Sequence, residues 1–178
     1  MGVEEERFLV LRNEESLFDP EWIPEVKDIP DGLVVRPLYS NDYENGFLQV
    51  LEQLTTVGNV DNQQFIDRFQ SMKSSQNYYV VVIEDEELHQ VIAAATLVIE
   101  QKFIHNTGSR GRVEDVVVDK QWRGMKLGAI LNNVLVEMAK KLNVYKLSLE
   151  CKDNLMPFYS RFGYKEDVKF MVQRFDKH

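Results

Sequence analysis

The sequence predicts an α/β fold on a mixed central β-sheet, antiparallel in its first half and parallel later, flanked by helices. Three observations carry this. Strand-like runs cluster between residues 78 and 118. Beyond them, strands and helices alternate, which is the pattern of a parallel sheet with crossover helices. One segment, residues 127–142, places apolar residues at 127, 130, 131, 134, 135, 138, 139 and 142, the helical period held for about four turns.

The elements follow in order. Leu33-Val-Val-Arg-Pro37 reads as a short strand, closed by a proline with no amide hydrogen for the ladder. Ser40 is the expected cap of a helix running to about Leu54, with Asp42 and Glu44 in its first turn. Residues 54–58 are a loop. Asp61 opens a second helix to about Met72, with Phe65, Ile66 and Phe69 on one face. Tyr78–Ile83 is a strand, 85–89 a polar turn, and Val91–Ile99 a second strand forming a hairpin with the first. Its apolar run is interrupted only by Thr96, which implies burial on both faces. Residues 105–111 form a turn-rich loop, and Arg112–Val118 is a third strand. After the long helix, Tyr145–Leu149 is a strand and Asn154–Phe162 a short helix stopped by Gly163. Lys169–Phe175 is expected to be the last strand.

Composition narrows the class. With 178 residues, 44% of them hydrophobic and 28% charged, the chain suits one soluble domain with an attached arm. Residues 1–31 are read as an acidic, irregular N-terminal arm packed loosely on a single domain at 32–178. That arm holds ten acids against three bases, so it carries most of the net charge of −8. No domain-wide basic stripe remains for nucleic acid. No apolar run reaches the ~20 residues of a transmembrane helix, and the acidic start does not read as a secretory signal. The single cysteine, Cys151, cannot form an internal disulfide, so a cytoplasmic location is expected, which leaves peripheral membrane attachment open.

The sharpest local feature is a strand, then Arg123-Gly-Met-Lys-Leu-Gly128, then a helix. Free amides and the positive dipole at a helix start favour a phosphate, and Arg123 and Lys126 add charge. The nucleotide P-loop pattern does not fit, because Gly128 is followed by Ala129; the dinucleotide glycine pattern is absent too. The acyl-CoA loop pattern R/Q-x-x-G-x-G/A fits at Arg123 and Gly128, with Lys126 at its middle glycine.

With its context, the segment resembles the Gcn5-related N-acetyltransferase (GNAT) superfamily. Asn154, Phe158-Tyr159 and Phe162-Gly163-Tyr164 look like that superfamily's last motif. Residues 54–58, 99–105, 111–118, Tyr145-Lys146, Leu149-Glu-Cys151 and Phe158-Tyr159 together resemble the eukaryotic glucosamine-6-phosphate N-acetyltransferases, over about residues 32–176. The resemblance implies a GNAT fold and acetyl transfer from acetyl-CoA to the 2-amino group of glucosamine 6-phosphate. It implies direct attack in a ternary complex, no metal, and a product that feeds UDP-N-acetylglucosamine synthesis. Cys151 is then a small packed side chain rather than a nucleophile.

The resemblance also assigns residues. Val116, Val117 and Val118 lie along the pantetheine arm, and the Val116 amide is the candidate donor to the thioester oxygen. Arg123, Gly124, Met125, Lys126, Leu127 and Gly128 cradle the pyrophosphate. Tyr159 protonates the departing CoA thiolate or holds it by a hydrogen bond. Asn154 stands five before Tyr159, where relatives carry their CoA-contacting asparagine four before. The sugar site matches Thr55, Lys102, Phe103, Ile104, His105, Glu114, Asp115, Glu150 and Arg174, with Lys102 and Arg174 suited to the 6-phosphate. Adjacent Glu114 and Asp115 face one site only if the strand bulges. Glu114 or Glu150 takes the proton of the substrate ammonium; the sequence does not choose. Family members are homodimers with the last strand at the subunit boundary, so Arg174 is assigned to either subunit's site. Two alternatives stand beside this reading: a GNAT enzyme for another amine (peptide or polyamine), and a non-catalytic CoA-binding module.

Overall fold

The computed structural model describes residues 14–175. Its elements are β1 (Leu33–Pro37), α1 (Phe47–Glu52), α2 (Asn62–Ser75), β2 (Tyr78–Asp85), β3 (Gln90–Gln101), β4 (Ser109–Val118), α3 (Leu127–Lys141), β5 (Lys146–Ser148) and α4 (Met156–Ser160). The five strands stand in chain order across one sheet. β1 to β4 pair antiparallel and β4 with β5 parallel, as the sequence predicts.

The unbroken apolar runs are explained by two cores, one on each face of the sheet. Val81, Ile83, Ala93, Ala95 and Leu97 pack against Leu131, Leu135 and Met138 of α3. Their strand neighbours Val80, Val82 and Ala94 pack against Phe47 and Val50 of α1 and Phe65 and Phe69 of α2. Alternation along a strand thus serves both layers. α2 is fixed at its start by a capping box: Asp61 Oδ1 accepts from the Gln64 amide at 2.8 Å, and Gln64 Oε1 accepts from the Asp61 amide at 2.9 Å.

Three expectations need correction. The first helix begins at Phe47 rather than after Ser40. Asp42 is withdrawn from helix initiation by Arg36, whose Nη1 and Nη2 donate to its carboxylate at 2.8 Å each, with both side chains buried. Residues 14–31 are irregular but not loose. Leu17 is buried and bridged to the Leu38 carbonyl, and Phe18, Trp22, Ile23, Val26 and Ile29 pack on the core. Of the arm, residues 1–13 lie outside the described part. Lastly, residues 169–175 form no strand; Phe170, Met171, Val172 and Phe175 are exposed. An alternating segment becomes a strand only beside a ladder, and no described strand pairs with it.

Candidate active site

The centre of the site is an irregularity in β4. Ala94 pairs with Val117, yet Thr96 pairs with Glu114, so Asp115 and Val116 together oppose Ala95. This is a β-bulge, with Asp115 in the left-handed region at φ 52°. The bulge brings the carboxylates of Glu114 and Asp115 to one cavity of about 380 Å³, which a regular strand would not do. Tyr78, Thr96, Val98, Glu100 and Arg112 line it with them.

Arg112 is the residue that sequence reasoning missed. Its Nε donates to Glu114 Oε1 at 2.9 Å, and its Nη2 to both Glu150 oxygens at 2.6 and 2.8 Å. Partial burial pulls the guanidinium downward, but Glu114, Glu150 and Glu100 outweigh it and push the group up, so it stays charged. Asp115 is pushed above the usual carboxylate range by the protein crowded around it and then by Glu114. The residue keeps solvent contact, so the effect is one of partial enclosure.

Next to this cavity, β4 has a free edge. β4 and β5 pair only from Arg110↔Lys146 to Arg112↔Ser148. Past that point, Val116, Val117 and Val118 have β3 on one side and no described strand on the other. Such an edge offers backbone donors and acceptors to an extended amide-bearing chain. It leads into the loop 123–128. There Gly124 turns at φ 88° and Lys126 at φ 62°, and α3 starts at Leu127 without a side-chain cap. The first amides of a 15-residue helix are therefore left for a ligand. Arg123, Met125 and Lys126 are exposed around them, and Leu127 anchors the turn in the core. A Cβ added at Gly128 would come within 3.8 Å of Phe158 and of Val118, so α4 lies close to the start of α3.

α4 carries Tyr159, which is buried beside Phe158 (ring centroids 4.9 Å) and Tyr164 (6.0 Å). Burial, and then nearby Cys151, raises the phenol above its ordinary value. Tyr159 is thus a proton-bearing donor at neutral pH. A free edge, an uncapped helix start and a buried phenol in series suit a phosphate-tailed thioester. The two acids beyond the bulge suit an amine.

The other expected residues lie at the margins. Lys102 is engaged with Glu100 at 2.6 Å. Phe103 and Ile104 are exposed, and His105 stacks on Tyr145 at 4.1 Å between centroids. Thr55 is exposed after α1, Asn154 lies on an exposed turn ahead of α4, and Arg174 is on the exposed tail. None of these lines the cavity. A link between margins runs through Gln53: its Nε2 donates to Asp119 Oδ2 at 2.6 Å, and its Oε1 accepts from the Lys120 amide at 2.8 Å. The segment before Thr55 is so tied to the turn at Asp119 and Lys120 that leads into loop 123–128.

Comparison with known proteins agrees with this geometry. A model of the acetyltransferase (GNAT) family matches residues 36–164. A probable glucosamine 6-phosphate N-acetyltransferase of Drosophila melanogaster is 53% identical over 130 residues, which cover 73% of this chain and 59% of that protein. The match thus spans under two thirds of the fly relative's length. The glucosamine 6-phosphate N-acetyltransferase of Candida albicans is 34% identical over 83% of this chain and 99% of its own. The crystal structure of the Arabidopsis thaliana enzyme of that name superposes with a TM-score of 0.78 at 34% identity, covering 81% of this chain and 99% of its own. The chain belongs to the acetyltransferase (GNAT) family, and within it groups with the glucosamine 6-phosphate N-acetyltransferases.

Proposed function

We infer that this chain transfers the acetyl group of acetyl-CoA to the 2-amino group of glucosamine 6-phosphate by direct attack in a ternary complex. The observation that carries the reading is the β4 bulge: it places an acid-lined cavity, suited to an amino sugar, at the head of the free strand edge. Acetyl-CoA supplies an activated acyl group and a thiol leaving group. The edge at Val116 to Val118 would hold its pantetheine arm, with the Val116 amide aimed at the thioester oxygen. Loop residues 123–128 would hold the pyrophosphate. The substrate ammonium loses a proton to Glu114 or Glu150, its nitrogen forms the new N–C bond, and Tyr159 gives a proton to the departing sulfur.

The 6-phosphate falls to Lys102 and Arg174. Lys102 must exchange Glu100 for phosphate to serve this role. A homodimer completes the reading. The exposed alternating tail, with Phe170, Val172 and Arg174, suits a strand that finds its ladder on a second copy. A cytoplasmic location goes with it; no helix among the described residues is long and apolar enough to cross a membrane.

Initial rates with both substrates varied test the ternary complex. Intersecting double-reciprocal lines and N-acetylglucosamine 6-phosphate as product are expected. Parallel lines, the mark of an acyl-enzyme, would return Cys151 to consideration as a nucleophile.

A further inference from the structure

We propose that Arg112 is a positioning residue that aligns Glu114 and Glu150 as the carboxylate pair receiving the acceptor amine. The proposal rests on the acetyl-transfer reading above.

The two glutamates come from different segments, Glu114 from β4 and Glu150 from the chain just past β5. Nothing in the backbone registers them, because β4–β5 pairing ends at Arg112↔Ser148. The guanidinium sits where the strands part and spans the gap with a fork, one edge on Glu114 and both oxygens of Glu150 on Nη2. Arg112 is two before Glu114, on the same strand face and ahead of the bulge, so its reach to Glu114 is fixed by the pleat. A planar fork fixes direction as well as distance; a lysine ammonium would supply the charge without it.

The fork sits in a wider network of charges. Glu100, on β3, is held below the usual carboxylate range by Lys102 first and then by Arg110 and Arg112. Lys102 takes it at 2.6 Å, while Arg110 and Arg112 stand at 4.0 and 3.8 Å. Glu100, Arg112, Glu114, Asp115 of the bulge and Tyr78 on β2 are the titratable groups lining the cavity; Glu150 stands outside that lining and is joined to it through Arg112. Held in one direction, the pair can accept hydrogen bonds from the substrate ammonium.

Arg112→Gln is expected to lower kcat/KM for glucosamine 6-phosphate about 100-fold, the scale of a mispositioned reacting group. KM for acetyl-CoA should not move. The loss should fall mainly on kcat, and Arg112→Lys, which keeps the charge without the planar fork, should recover only part of it. Equal losses for both substrates in Arg112→Gln, or full turnover by Arg112→Lys, would overturn the proposal and leave the function standing. Wild-type protein that turns over no glucosamine 6-phosphate would overturn the function, and the proposal with it.

Discussion

At the residue scale, chemistry follows from where a side chain's charge is held. Burial keeps the proton on Tyr159, which suits its proposed role toward the departing thiolate. Tyr159→Phe should lower kcat about 100-fold and leave acetyl-CoA binding nearly intact; full turnover would remove its assigned role. Asp115 pays for its place in the site with stability. Its folded value lies above the unfolded one, so ionising it disfavours the fold as pH rises past the unfolded value of 3.8. Asp115→Asn, which tolerates the same left-handed backbone, should therefore melt higher than wild type at pH 7, with the gap closing toward pH 4. A gap that widens in acid would contradict the assigned cause. The residues that carry this chemistry were legible as types in the sequence, but Arg112 was not. Its signal was present, an arginine at i−2 to Glu114, yet its meaning depends on Glu150, which the chain brings alongside 38 positions later.

At the scale of elements, the periodic segments declared themselves. α3, the β2–β3 hairpin and the parallel β5 lie where period and β-branched runs put them, because burial on a face leaves a mark at every turn. The errors came where one long-range partner outranked a local signal. Asp42 suits a first turn but is claimed by Arg36. The bulge was anticipated only as a condition, since two adjacent acids say nothing of the register shift that reconciles them. Gln53 shows the same limit: its two hydrogen bonds fasten the end of α1 to Asp119 and Lys120, just ahead of loop 123–128 and 66 and 67 positions away. Gln53→Ala should raise KM for acetyl-CoA about fivefold, the value of about 1 kcal/mol of hydrogen bonding, with the fold retained. No change would mean the loop is set by Gly124 and Leu127 alone.

At the scale of the whole molecule, one sheet buries both faces, and among the described residues β4 keeps an open edge and the tail is unpaired. The first suits the thioester's amide-bearing arm, the second a copy of the chain. In the proposed homodimer Phe170→Glu should halve the mass measured by light scattering and depress glucosamine 6-phosphate turnover together; an unchanged mass would contradict the tail's part in it. The most direct test of the account is thiol release from acetyl-CoA with purified protein, offered in turn glucosamine 6-phosphate, glucosamine, spermidine and a peptide pool. The account predicts rapid release with the phosphorylated amino sugar alone. Release with spermidine or peptide instead would keep the fold and the thioester site but contradict the acceptor, and with it the roles of Lys102, Arg112 and Arg174.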